Sequence, residues 1–327
     1  MLLIALAALA PWAVSAKAAT FDCEQKSDIS WDGHYSPHRA EELGLPNDRQ
    51  YCRRVVMNGP ISASDVAAFN DWLHREPYTR VVRAQSTGGE VDAAMAIGRI
   101  VRSRFMTVDT EVYDLARSRE CTTQRVLARG QKYGLPTDAA SINQAVTICR
   151  KRNDCRVENR CCLSACVLVA VASVQLSSSN LGLHRLSLRD FAKFGYEEAT
   201  RRLADANVRV EGYLKEMGVA PTLYAAMIKV PPDEIQLLDE PAIKALLLGI
   251  SRKEAEDLPP DLDIMPASVE DWLKAKCKEQ FDIDEYIRKR GGFQSKRFEA
   301  LRFDSGSKCM NRELDREFVR RAKQTVQ

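Results

Sequence analysis

An α/β fold built on a parallel sheet is what this sequence predicts, and three observations predict it. Short β-rich runs alternate with helical periodicities between residues 52 and 110. A Ser-Thr-Gly-Gly turn at residues 86–89 joins one of those runs to the helix after it. Beyond an interruption, the pattern resumes at residue 162, with a serine opening an apolar helix and a histidine closing the next strand. Parallel strands need a crossover between them, so strand–helix alternation is the mark of a parallel layer.

The elements follow in order. Cys52 to Met57 is a β-rich run stopped by Asn58-Gly59-Pro60. Ser62 with Asp65 three residues on is a capping-box pattern, and Val66, Phe69, Trp72 and Leu73 follow at helical spacing. Arg80 to Ala84 reads as a second strand, Val91 to Val101 as a second helix, and Met106 to Thr110 as a third strand. Residues 113–160 then interrupt the layer. This insertion is polar, helical in pattern and basic, with ten Lys or Arg against five Asp or Glu between Asp114 and Arg160. A solvated face is the plain reading of such a run; an electrostatic docking surface is the sharper one. A buried helix runs from the Cys162–Cys166 segment to about Ser173, Leu181 to His184 is a short strand, and an amphipathic helix spans about Asp190 to Met217. Pro231-Pro232 breaks the next helical stretch. Asp239 caps a helix that Gly249 ends, and a charged helical tail follows Pro259-Pro260.

Composition narrows the function classes. The chain has 327 residues, 45% of them hydrophobic and 28% charged, with a formal net charge of only +3. That balance gives no electrostatic footprint for nucleic acid. Leu2 to Val14 is an apolar run followed by Ala16-Lys17-Ala18, which fits an A-x-A cleavage site, although no Lys or Arg precedes the run. Residues 1–19 are therefore read as a signal peptide, residues 20–50 as a polar, turn-rich arm, and the protein as periplasmic or secreted. A buried N-terminal helix is the alternative for the apolar run.

Ten cysteines in an exported chain suggest disulfides. Position makes Cys23 with Cys52 and Cys277 with Cys309 plausible pairs, leaving six from Cys121 to Cys166 as a local cluster. Zinc is the rival for that cluster, but its spacings contain no CxxC pair and no nearby His. Cys162 and Cys166, four apart, either brace the turn between them through disulfides to the insertion or remain buried thiols.

Three features can carry chemistry. Gly88 and Gly89, between a strand and a helix, let the backbone turn sharply and present N–H groups to an anion or oxyanion; an ordinary tight turn explains them equally. Ser164 opens an apolar helix beside the small Ala165, where a capping serine is the structural alternative. Of four histidines, His184 alone follows an apolar strand of the α/β core, where a structural role is again the alternative.

Together, Ser86-Thr87-Gly88-Gly89 with Asp92 to Ile97, Cys162-Leu163-Ser164-Ala165-Cys166, Leu181-Gly182-Leu183-His184-Arg185 and Leu237 through Gly249 resemble the glycine loop, nucleophile segment, histidine strand and late helix of the Clp protease and crotonase superfamily. Thr87 stands where that family usually has proline. The resemblance covers about residues 50–250 without the insertion, and the variant looks closest to exported Clp-protease-like proteins with a cysteine-x-serine-alanine-cysteine segment. It implies a superfamily-type parallel-sheet core at 51–258 with flanking helices, a helical cysteine-containing insertion at about 113–160 and a helical C-terminal tail at 259–327.

Carried over residue by residue, the resemblance makes Ser164 the nucleophile, His184 the base, and the N–H groups of Gly89, Glu90 and Ala165 the oxyanion hole. For the acid, Asp233 and Asp239 are both near the family position; Asp239 is needed as a cap, so Asp233 is chosen, with Glu234 as the other candidate. The implied activity is that of an extracytoplasmic serine hydrolase, a peptidase acting on peptide or protein substrates. Homo-oligomers would be expected, with no cofactor, no metal and, after export, no ATP-driven unfolding partner. An inactive binding or scaffold protein of the same fold is the alternative. Acyl-CoA chemistry on the same fold is disfavoured by export.

Overall fold

The computed structural model of the chain describes residues 18–24, 34, 37–46, 49–110, 162–177, 181–188, 193–232, 234–258, 264–278 and 296–326. The insertion at 113–160, with Cys121, Cys149 and Cys155, lies outside them, as does Cys161.

Two sheets organise the described chain. The larger has the order β1 (Thr20–Cys23), β2 (Arg54–Asn58), β3 (Val81–Gln85), β4 (Thr107–Asp109), β6 (Leu176–Ser177). β2, β3, β4 and β6 run parallel and β1 pairs antiparallel to β2. The smaller sheet has the order β5 (Cys162–Leu163), β7 (Leu181–Leu183), β8 (Gln236–Leu238), with β5 parallel and β8 antiparallel to β7. A bridge between Ser86 and Cys162 links the sheets where the glycine turn meets the serine turn. The α/β class with a mostly parallel sheet is thus as the sequence predicts.

Period-two alternation decides which face each strand buries. Val55, Met57, Val82, Ala84 and Val108 all point inward and are essentially inaccessible. On the other face, Arg54 pairs with Glu24 at 3.0 Å, and Arg83 bridges Glu24 and Asp109. α2 (Ala63–Arg75) and α3 (Val91–Ser103) connect the first three parallel strands. Their apolar stripes, Phe69, Trp72 and Leu73 on one and Ala94, Ile97 and Val101 on the other, join the core cluster. The short α4 (Cys166–Ala170) is buried at every residue and packs on α3, β3, β4, β5 and β7. Burying a valine or leucine is worth roughly 1.5–3 kcal/mol, so Val167, Leu168 and Val169 anchor the segment that begins at Ser164.

Tight packing around α4 makes a first prediction. Gly98 of α3 faces Tyr213 of α5 (Tyr196–Glu216), whose buried hydroxyl donates to Leu168 O at 2.7 Å. A Cβ at Gly98 would lie 1.9 Å from that hydroxyl oxygen. Gly98→Ala therefore destabilises by about 1–3 kcal/mol despite alanine's better helix propensity. Tyr213→Phe recovers part of that loss in a double-mutant cycle followed by thermal unfolding, and additivity of the two changes would sink the idea.

The rest of the chain closes over this core. α1 (Pro37–Glu42), α6 (Pro221–Met227), α7 (Glu240–Leu248), α8 (Arg252–Glu256), α9 (Ala267–Lys276) and α10 (Lys296–Val326) complete the described helices. Asp239 caps α7 by accepting Ala242 N–H at 3.0 Å, and Gly249 ends it at φ 72°, as the sequence indicates. The region read as a tail joins the body: Ile264 bridges to Leu176, Phe318, Val319 and Ala322 enter the main core, and Cys277 bonds Cys309. Likewise the N-terminal arm supplies the edge strand β1, tied to the sheet by Cys23–Cys52.

Candidate functional site

Ser164 occupies the turn from β5 into α4 with φ 57°, one of two non-glycine residues with positive φ among the described chain. The left-handed region costs an L-residue about 1–2 kcal/mol, so the surroundings must impose it. They do so from several sides. Leu163 N–H donates to Ser86 O at 2.9 Å, Ser164 N–H to Gly182 O at 2.9 Å, and Val167 N–H to Ser164 O at 3.0 Å. Cys162 and Cys166 are bonded to each other, with Cα atoms 5.1 Å apart, so a disulfide closes the turn around the serine. This corrects the expectation that the two cysteines either bond to the insertion or remain buried thiols: each is the other's partner, because the turn brings them together. Ser164 does not cap its helix: the N-cap position is Ala165, and no hydrogen bond to Ser164 Oγ occurs among the described residues.

The glycine turn lies directly against this serine. Gly88 has φ 95°, and a Cβ there would meet Ser164 Cβ at 2.5 Å and Ser164 Oγ at 2.9 Å. Gly89 has φ 147°, and its Cβ would meet Ile61 O at 2.0 Å. Both positions therefore need glycine for conformation and for space. Ile61 clamps the turn from outside: its N–H donates to Gly88 O at 2.8 Å, and its carbonyl accepts Glu90 N–H at 2.9 Å. The buried Ser86 hydroxyl accepts Gly88 N–H at 3.1 Å from inside.

This geometry corrects one expectation. The Glu90 N–H is committed to Ile61, so it is not a donor to an oxyanion in this arrangement. The N–H groups of Gly89 and Ala165 have no hydrogen-bond partner among the described residues. Ile61 was not singled out from the sequence, and Ser86 entered only as the first residue of the glycine turn, with no role of its own. Ile61 acts through its backbone groups, which residue type does not reveal, and the Ser86 hydroxyl acts on a backbone N–H two residues on, in a turn whose shape only the fold decides.

His184 follows β7, whose Gly182 pairs with Leu163, so it leaves the sheet beside the serine turn. Its ring does not reach Ser164 Oγ. Instead Nδ1 lies 2.8 Å from Arg185 O. A carbonyl can only accept, so Nδ1 is the donor in this contact, and in the neutral ring Nε2 is then the acceptor. Arg185 N–H is in turn held by Val230 O at 2.9 Å. Asp233 lies outside the described residues. Glu234 is exposed. Asp239 is engaged by the Arg252 guanidinium at 2.6 Å and by Ala242 N–H, which together hold its carboxyl below the usual carboxylate range.

Elsewhere, a cavity of about 520 Å³ is lined by Arg99, Arg102, Phe105, Glu216, Trp272 and Arg321, none of which belongs to the serine or glycine turns. Its arginines are engaged by Glu216, by backbone carbonyls and by Glu317. Among the described residues, no group of three metal-ligating side chains occurs and no helix is long and apolar enough to cross a membrane.

Comparison with protein-family models, with curated proteins and with solved structures finds no match to this chain in any of the three.

Proposed function

We propose that the chain is an exported serine hydrolase of the Clp-protease-like kind, a peptidase with Ser164 as nucleophile and His184 as base. One observation carries the reading. A serine with an uncommitted hydroxyl is held at φ 57° on a strand-to-helix turn, against a glycine pair that tolerates no side chain. A turn of this shape presents a nucleophile to substrate, and strain that the fold maintains is a pointer to function. In the reaction so proposed, His184 Nε2 takes the Ser164 proton as Oγ attacks a peptide carbonyl, and returns it to the leaving amine. The Gly89 and Ala165 N–H groups receive the oxyanion, each such donor being worth about 3 kcal/mol of barrier. Arg185 O orients the imidazole, and Asp233 is the proposed acid. Substrate binding would bring the ring onto the serine, since such hydrogen bonds often tighten only in the complex. Three disulfides fit an oxidising compartment. The substrate would be a flexible peptide or exposed loop, and the active form a homo-oligomer.

A second reading rests on a specific observation too. His184 bonds its neighbour's carbonyl rather than Ser164, which is what a binding or scaffold protein retaining only the fold would show. Labelling of the oxidised protein with a fluorophosphonate probe separates the two. Catalysis predicts labelling that Ser164→Ala abolishes and His184→Ala slows by about 10²–10⁴-fold. A folded wild-type protein that stays unlabelled supports the scaffold.

A further inference from the structure

Ala19 is buried, while Ala18 before it is exposed. The β1–β2 register pairs Thr20 with Asn58, which carries Ala19 over Gly59; a Cβ on Gly59 would lie 3.3 Å from Ala19 Cα. There the Ala19 nitrogen donates to Asp65 Oδ2 at 3.2 Å, in a contact that is itself buried.

Asp65 is 1% exposed, and no cationic side chain pairs with it among the described residues. Its Oδ2 takes three neutral donors: Ala19 N–H, Ser62 N–H at 2.7 Å and the Ser62 hydroxyl at 3.0 Å. Its Oδ1 is buried and has no hydrogen-bond partner among the described residues. A carboxylate so placed lacks both a counter-charge and donors for half of its lone pairs, a costly arrangement for an ion away from water.

We propose that hydrolysis of the Ala18–Ala19 peptide bond during export makes Ala19 the N-terminus, and that Asp65 is the built-in receptor for its ammonium group. The bond is the one that follows Ala16-Lys17-Ala18, one residue before the coarse signal-peptide boundary at 19. Water adds across it, leaving a carboxylate on Ala18 and an ammonium on Ala19, and an export peptidase of the class that reads A-x-A sites supplies the catalysis. The nitrogen changes from one neutral donor to a cation with three, which provides the charge Asp65 lacks and the protons Oδ1 lacks.

The position of this ion pair gives it a second consequence. Asp65 holds Ser62 N–H, and Ser62 follows Ile61, the residue that clamps Gly88 and Glu90 over Ser164. Asp65 is thus a positioning residue: maturation tightens the turn that shapes the candidate site. The inference rests on the export part of the proposed function and not on the hydrolase part.

The test uses the full disulfide-bonded protein recovered after export. Intact mass and N-terminal sequencing are expected to give Ala19 as the first residue; any other start overturns the proposal. A second preparation carries one extra glycine before Ala19. The protein beginning at Ala19 is expected to melt higher by on the order of 5 °C, and to exchange the Glu90 amide several-fold more slowly. Asp65→Asn is expected to erase both differences. Equal melting of the two wild-type preparations refutes the pairing. Should Asp65→Asn not fold, the native wild-type protein still decides the matter. Its Ala19 amine is expected to resist acetylation by a water-soluble reagent at neutral pH, and acetylation as fast as in the denatured chain overturns the proposal.

Discussion

Gly89→Ala is expected to be the most damaging single substitution at the site, and to act on stability before chemistry. At φ 147° the backbone stands in a region that only glycine occupies at low cost, and the added Cβ would sit 2.0 Å from Ile61 O and 2.6 Å from Ile61 N. Those atoms are backbone, so no rotamer change relieves the contact. Strained φ and overpacking each contribute about 1–3 kcal/mol, giving on the order of 4 kcal/mol, a large share of a typical domain's stability. A urea unfolding midpoint measures it. Gly212→Ala is the control: that glycine lies in α5 with nothing within 4 Å of its would-be Cβ, so the change stabilises by up to about 1 kcal/mol. Equal effects at the two sites would mean the Ile61 clamp is not made. Gly88→Ala pushes on Ser164 itself and is expected to suppress probe labelling even where the protein still folds.

Removing the Cys162–Cys166 disulfide is expected to cost reactivity out of proportion to stability. The bond spans a sequence separation of only 4, whereas Cys23–Cys52 spans 29. On the chain-entropy account, closing the smaller ring is worth about 2 kcal/mol and the larger about 3.5 kcal/mol. Replacing all four cysteines pairwise by alanine should therefore lower the melting temperature more for the Cys23–Cys52 pair. Reactivity should rank the other way, because only the smaller ring contains Ser164 and opposes its relaxation from the left-handed region. The left-handed conformation of Ser164 costs about 1–2 kcal/mol, so a turn freed to relax loses about 5- to 30-fold of its competent population, and fluorophosphonate labelling falls with it. Equal losses of labelling for both pairs would show that the small ring does not position the serine. Both of its cysteines are fully buried, so reduction in the folded state should be slow and the substitutions are the cleaner test.

What was legible in the sequence is what adjacent residues decide. Asn58-Gly59-Pro60 stops β2, Ser62 and Asp65 open α2, Asp239 and Gly249 bracket α7, and apolar spacing marks α2, α3 and α5. Each depends on local backbone preference or on helical period, and each is found close to where the pattern puts it, except that α5 begins at Tyr196, six residues after the start read at about Asp190. The pairs Cys23–Cys52 and Cys277–Cys309 were legible because few partners competed for them.

β1, β6 and β8 were not legible, since strands of two to four residues carry too little alternation to distinguish them from loop. Nor were the closure of Cys162 on Cys166, the commitment of the Glu90 N–H to Ile61, the turning of His184 to Arg185 O, or the meeting of Ala19 with Asp65. Two of these joins are between near neighbours, His184 with Arg185 and Cys162 with Cys166, but which partner each group takes still depends on how the surrounding elements are packed. By itself, then, the sequence determined an α/β chain with the caps of α2 and α7, the apolar stripes of its main helices, its glycine turn and its candidate serine and histidine. Only the tertiary structure decided which backbone groups are occupied and which remain open around that serine. The reason is physical: periodicity and capping are short-range, whereas hydrogen-bond partners 25 to 100 residues apart, such as Ile61 with Glu90 or Leu163 with Ser86, form only when the sheet brings them together.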